Sequence, residues 1–227
     1  GDVYFNSSDS GLRAYDGSAW SAVGAGGGSF TATASGTIPN GATVIIKTDG
    51  TVGVVTQTGS ADPSAGTSVV FESGNTHDVS AVYDSTNNKV IVAYTDYGNS
   101  QYGTAIVGTV SGTSISFGTA AVFESAAITS TKVTYDSAND KVVIVYADSG
   151  NSSYGTAVVG TVSGTSISFG SAVVFESANT DYISPVYDVT NEKVVIAYRD
   201  TGNSDYGTAI VGTVSGTSIS FGSPTVF

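Results

Sequence analysis

The sequence contains no cysteine, which excludes disulfides, thiol catalysis and thiolate metal ligation. It contains no methionine, even at position 1, so Gly1 is not expected to be a translation start. Its single histidine, His77, leaves no material for a histidine-rich zinc site or a repeated proton relay, and reads as a solvated residue of a variable loop. Charge is scarce at 11% of residues, against about 25% in an average domain. Lysine and arginine total 7 and aspartate and glutamate 19, so the net charge is −12. Such a chain repels nucleic acid and anionic lipid, and no basic patch opposes that repulsion. No uninterrupted apolar run approaches the 18 residues of a membrane-crossing helix. Proline numbers only four.

Glycine, serine, threonine, valine and tyrosine fill the 227 residues instead, and they are arranged in repeats. Phe71, Phe123, Phe175 and Phe227 recur every 52 residues, as do Asp84, Asp136 and Asp188. The block DYGNSQYGTAIVGTVSGTSISFG at 96–118 returns at 148–170 and 200–222, with 20 of its 23 positions the same in all three copies. The spacing never slips. Repeats over 69–120, 121–172 and 173–224 therefore occupy most of 67–227, and a fourth begins at the end.

Each copy reads as strands separated by turn residues. In the first these are VVFES (69–73), VSAVYD (79–84), KVIVAYTD (89–96) and YGTAIVGTVS (102–111), with SISFG (114–118) leading onward. Valine, isoleucine, tyrosine and threonine suit a pleated, half-buried surface. KVIVAY is apolar without alternation, which predicts burial on both faces. SISFG alternates, with Ile115 and Phe117 on one face. No stretch shows a capped helical period.

The expected class is all-β. Stacked four-stranded sheets suggest a β-propeller, although three copies do not close one. A β-trefoil or β-prism, and an open β-solenoid, fit the same pattern.

Residues 1–66 differ. VYFN, LRAY and AWSAV predict a small hairpin module over 1–24. FTATASGTI, ATVIIKT and TVGVVT predict three strands of a second module over 29–57, with a turn at Asp49-Gly50. GAGGG (24–28) and TGSADPSAG (58–66) read as linkers.

GDVYFN…LRAYDGSAW resembles a module of tail-fibre and virion structural proteins of tailed bacteriophages. SFTATASGTIPNGATVIIKTDGTVGVV and the GNSxYGTAxVGTVSGTSISFG repeats are similar to virion proteins of marine and cyanobacterial phages. The resemblance covers essentially the whole chain. It implies a structural, fibre- or spike-like component at the virion surface or outside the cell, and brings no catalytic residues with it. A secreted or cell-surface glycan-binding lectin of similar architecture is the alternative.

The D-x-G-N-S-x-Y element resembles the Asp-box of sialidase-type propellers, with its aromatic residue displaced by about one position. Asp96, Asn99, Asp148, Asn151, Asp200 and Asn203 are accordingly expected to build structural turns. Two oxygen-bearing side chains per copy fall short of a calcium site, so no metal or cofactor is expected. With only Arg13 and Arg199, a sialidase-like arginine cluster is absent. The carboxylates Glu72, Glu124 and Glu176 repeat identically, whereas an active site breaks symmetry. No enzyme is expected.

Differences between copies gather at 74–80, 126–132 and 178–184, and at Tyr97/Ser149/Thr201 and Gln101/Ser153/Asp205. In an up-and-down sheet, with VFES outermost in the preceding blade, these clusters fall at one end and the constant SGTS hairpin at the other, where 85–88 also varies. Two readings stand: a binding surface, or relaxed loop drift. On the first, Tyr97, Gln101, Ser153, Asp181, Tyr182 and Asp205 are the candidate ligand contacts. With no basic residue among them, the expected ligand is neutral, such as a host polysaccharide. Unpaired strand edges further predict a homo-oligomer, a trimer by the resemblance to phage fibres, or contact with other virion proteins.

Overall fold

A valine- and threonine-rich strand is stable only when both its hydrogen-bonding edges and its apolar side chains find partners. In this protein those partners lie in the neighbouring copy. The computed structural model describes residues 3–6, 11–15, 18–23, 33–38, 44–54 and 66–227. The chain divides into two units, Gly1–Pro63 and Ser64–Phe227.

In the first unit, β1 (Val3–Asn6), β2 (Gly11–Tyr15) and β3 (Trp20–Val23) form an antiparallel meander, at the positions expected for VYFN, LRAY and AWSAV. β4 (Val44–Ile46) and β5 (Val52–Val54) form a hairpin. Its turn is held by Asp49, whose carboxylate accepts bonds from the Thr51 amide and hydroxyl. Of the third strand expected here, FTATASGTI, the described residues 33–38 contribute a parallel bridge from Ala34 to Val52. The linker at 24–28, and all of the second linker but Gly66, lie outside the described residues.

The second unit holds the repeats. Repeat 1 contributes β6 (Thr76–Asp84), β7 (Lys89–Asp96), β8 (Tyr102–Ser111) and β9 (Ser114–Phe117). Repeat 2 contributes β10 (Ala121–Asp136), β11 (Lys141–Asp148), β12 (Tyr154–Ser163) and β13 (Ser166–Phe169). Repeat 3 contributes β14 (Val173–Asp188), β15 (Lys193–Asp200), β16 (Tyr206–Ser215) and β17 (Ser218–Phe221), and β18 (Thr225–Val226) follows. All belong to one antiparallel hydrogen-bonded network of 13 strands.

β10 and β14 make that network continuous. The sequence suggests two strands in each, VFES-like and VSAVYD-like. The structure has one of 16 residues. The first half of β10 pairs with β8 of repeat 1, Ala121 opposite Ala105, and its second half pairs with β11, Asp136 opposite Lys141. β14 does the same between β12 and β15. One strand is thus outermost in one sheet and innermost in the next. Residues 69–73, expected as a strand of repeat 1, are not one. Their equivalents pair with a preceding repeat's fourth strand, and none precedes them among the described residues.

The sheets also share their cores. Ile91, Ala93, Ala105 and Val107 of repeat 1 pack against Val142, Ile144, Tyr146 and Val158 of repeat 2. Val143, Val145, Ala157 and Val159 of repeat 2 pack against Val194, Ile196, Tyr198 and Ile210 of repeat 3. The unalternating β11 run is therefore buried on both faces, as its pattern demands. β15, nearly the same sequence, alternates between buried and half-buried because no sheet among the described residues covers its far face.

Each seam carries a linking phenylalanine. Phe123 reaches from the edge of sheet 1 to the rings of Tyr146 and Phe169 in repeat 2, centroids 5.3 and 5.7 Å apart; Phe175 does the same with Tyr198 and Phe221. A slot admits the ring: a Cβ on Gly155 would lie 2.6 Å from Phe175. Beside the ring, the Tyr146 hydroxyl donates to Glu124 at 3.1 Å, Tyr198 to Glu176 at 3.0 Å and Tyr94 to Glu72 at 3.4 Å. At the other end of the seam between repeats 1 and 2, the Tyr135 hydroxyl lies 2.7 Å from Thr86 Oγ1 and 2.9 Å from Asp140 Oδ1.

Two outcomes follow from the seams. Phe175→Ala should cost about 3–5 kcal/mol in urea unfolding, as for other core phenylalanines, whereas Phe227→Ala, with the same neighbours on one side only, should cost less than about 1 kcal/mol. Burial, and next the adjacent carboxylate, raise the phenols of Tyr94, Tyr146 and Tyr198 above their ordinary value of 10.0. Above that pH the unfolded chain sheds protons that the folded chain retains, so stability is intact below about pH 10 and falls as pH rises further. Urea midpoints at pH 8, 10 and 11 should show this loss, and Tyr146→Phe should flatten it.

Candidate functional site

Within each repeat, the pairing of the innermost strand with the next strand is interrupted at one place. Pairing of β6 with β7 shifts register between His77 and Ser80, of β10 with β11 between Thr129 and Lys132, and of β14 with β15 between Asp181 and Ser184. At each bulge one residue is left-handed: Asp78 (φ 49), Ser130 (φ 58) and Tyr182 (φ 52). That conformation costs a non-glycine residue roughly 1–2 kcal/mol, and costs gathered at equivalent places call for explanation.

A bulge leaves backbone donors unpaired by its own ladder. Between repeats 1 and 2 the neighbouring bulge satisfies them. The Ser130 amide donates to Asp78 Oδ2 at 2.8 Å and the Val133 amide to Ser80 Oγ at 3.3 Å; the Thr95 and Thr131 hydroxyls lie 3.2 Å apart. At the next seam Ser130 carries a hydroxyl where Asp78 carries a carboxylate. There the bulges border an open cavity of about 390 Å³, lined by Asp78, Ser130, Lys132, Asp181, Tyr182 and Ile183. All three repeats contribute to it.

Repeat 3 adds a charged cluster beside this cavity. Arg199 lies directly across the strand pair from Asp181 and donates to its carboxylate at 2.6 Å. Its guanidinium sits 4.9 Å from the centre of the Tyr182 ring, and its Nε is 3.8 Å from Asp205. The Asp181 bond, first among several influences, raises the Arg199 pKa further. Tyr182 is otherwise exposed. The cross-strand pair held here by Asp181 and Arg199 is His77 and Thr95 in repeat 1, and Thr129 and Ala147 in repeat 2. His77 is exposed at the start of β6, not in a loop, and its ring lies 4.1 Å from that of Tyr97.

The six candidate contacts separate accordingly. Asp181 and Tyr182 line the cavity, and Asp205 joins them through Arg199. Tyr97 pairs with His77 instead. Gln101 and Ser153 serve the backbone: left-handed at φ 62 and 58, they offer their carbonyls to the amides of Ile128 and Thr180 in the next repeat. The turn residues hold caps. Asp96 and Asp148 accept from the amides of Asn99 and Asn151, and Asp200 from Gly202; each starts a 3-10 turn, the third running to Asn203. The variable bulges and these turns share one end of the sheets, opposite the SGTS hairpins.

One expectation needs correction. The variable residues are not free of basic neighbours, since Lys132 lines the cavity and Arg199 contacts Asp181 and Tyr182. Two cations face three carboxylates, Asp78, Asp181 and Asp205, so the cluster is close to balanced. Among the described residues, no group of three or more histidine, cysteine, aspartate and glutamate side chains is placed to hold a metal ion.

Sequence reasoning missed Arg199. Its signal was present: Thr95, Ala147 and Arg199 vary inside an otherwise regular strand. Asp78, Ser130, Lys132 and Ile183 lay within the variable segments but nothing local distinguished them. No protein-family model, no curated protein and no solved structure matches the chain.

Asp148→Ala should lower stability by about 1 kcal/mol, the usual worth of a cap. Tyr182→Gly, which removes left-handed strain together with the ring, should stay within about 1 kcal/mol of the parent protein. Urea unfolding of the two variants measures both.

Proposed function

We propose that the protein is a non-enzymatic structural or appendage component of a phage virion, fibre- or spike-like, whose repeats form a propeller-like β domain that contacts host-surface glycan. The carrying observation is the cavity at the bulged ends of the sheets. It is built from the strained, variable residue of every repeat, Asp78, Ser130 and Tyr182, while the SGTS hairpins at the opposite end are constant in sequence. The propeller-like arrangement is supported by β10 and β14, each outermost in one sheet and innermost in the next, which is how consecutive blades connect.

The chemistry suits a neutral polysaccharide. An exposed tyrosine ring, backed by a guanidinium, offers a face to sugar C–H groups. Ser130, Lys132, Asp78 and Asp181 supply donors and acceptors for hydroxyls. Three carboxylates beside two cations disfavour sialylated or phosphorylated ligands. Contact is weak at each site and gains strength from many copies on one particle.

Two measurements test this. Mass spectrometry of purified virions should find the chain. On an array of neutral and acidic bacterial polysaccharides, the protein should bind neutral members, and Tyr182→Ala should weaken binding about tenfold, the equivalent of 1.4 kcal/mol, with an unchanged thermal midpoint. Binding without presence in virions would favour the secreted lectin. Binding unaffected by Tyr182→Ala would remove the cavity from the interaction.

A further inference from the structure

The cavity does not account for every side-chain cluster at the bulged end of the sheets. In repeat 1 the His77 and Tyr97 rings lie 4.1 Å apart and inclined by 32°, and both residues are exposed. Each ring is held from its own backbone. His77 pairs with Thr95 between β6 and β7, and the Tyr97 amide donates to the Asn75 carbonyl at 2.9 Å. Asp96 caps the 3-10 turn that carries Tyr97, accepting from the Asn99 amide at 3.0 Å. That turn lies close against Gly74, where an added Cβ would be 3.3 Å from the Gly98 Cα.

The fold does not require these rings. The same turn packs as closely in repeat 2, Gly150 against Ala126, and in repeat 3, Gly202 against Ala178. There Thr129 and Ser149, and Asp181 and Thr201, take the places of His77 and Tyr97. The pair is therefore a feature of the surface, and it adjoins the cavity. Asp78, which lines the cavity, follows His77 directly and accepts the Ser130 amide of repeat 2 at 2.8 Å. Repeat 2 lies between repeats 1 and 3 in the strand order. Its bulge carries the short side chains of Thr129 and Ser130, with Ala147 buried across the strand pair. Lys132 lies back on its own backbone, donating to the Thr131 carbonyl at 3.1 Å. Aromatic groups thus stand on repeats 1 and 3, with short side chains between them.

We propose that the bulged end holds an internal stretch of a linear neutral polysaccharide, running from Tyr182 on repeat 3 across Ser130 to the His77–Tyr97 pair on repeat 1. This rests on the glycan reading above and adds the form of the ligand: an extended chain, not a terminal sugar. The Tyr182 ring, backed by Arg199, packs on one sugar. Ser130 and Asp78 meet hydroxyls of the stretch that follows. The His77–Tyr97 pair packs on a later sugar of the same chain. That second aromatic contact is made within a chain already bound, so it strengthens binding at little further entropic cost.

Calorimetric titration of the full chain tests this, with oligosaccharides cut from the neutral array member that it binds, from disaccharide to decasaccharide. Affinity of the parent protein should rise with length and level off once the chain reaches both aromatic groups. Tyr97→Thr and His77→Thr introduce the residue types that repeat 3 has at Thr201 and repeat 2 at Thr129, so the thermal midpoint should not move. Each should weaken binding of the longest members about tenfold and leave the shortest unchanged, whereas Tyr182→Ala should weaken every length. Affinity already complete at the disaccharide, or long-chain affinity unmoved by both threonine variants, would overturn the extended chain and leave the glycan reading standing. No binding of the parent protein to any neutral member would overturn both.

Discussion

Every sheet in the repeat unit depends on an apolar seam that it cannot complete alone. A four-stranded sheet rich in valine and isoleucine has two apolar faces, and one copy has nothing to cover them. The linking strand resolves this by leaving the edge of one sheet and entering the centre of the next, carrying a phenylalanine that both share. Glycine in YGTA is fixed by that ring, and the glycine closing SISFG by the neighbouring hairpin. Stability in such an array is approximately a sum over repeats and the interfaces between neighbours. Near-identity of the copies is then a packing requirement: a change in one seam surface needs a matching change in the other.

The bulges are where this constraint relaxes. A two-residue interruption of the innermost strand turns side chains away from the seam and frees backbone donors. Repeats 1 and 2 satisfy those donors with Asp78 and Ser80. Between repeats 2 and 3 the different residues border a cavity instead. Variation thus lies where the backbone no longer dictates side-chain volume. It is also organised. His77 meets Tyr97 within repeat 1, and Asp181, Tyr182, Arg199 and Asp205 meet within repeat 3. Residues that drift independently have no reason to assemble charge-paired clusters, and this favours the binding-surface reading of the variable positions.

On the proposed reading, recognition lies at the bulged ends of the sheets, which carry the variable chemistry, while the sheet faces carry the apolar surface that joins one repeat to the next. Weak single contacts would then gain strength from copy number.

The sequence by itself determined the all-β class, the 52-residue period, and the bounds of β7, β8 and their equivalents. It also identified the aspartates that cap the 3-10 turns. Each of these is local: alternation, turn residues and a cap within a few positions are written in consecutive letters. Tertiary structure alone decided that VFES and VSAVYD become one strand, because half of that strand's hydrogen bonds go to residues of the preceding repeat. It decided that β11 is buried on both faces and β15 on one, although their sequences are nearly the same, because burial belongs to the neighbour and not to the strand. It also brought Arg199 to Tyr182 and joined three bulges around one cavity. Register across a bulge sets those meetings, and register is a property of paired strands that no single stretch of sequence contains.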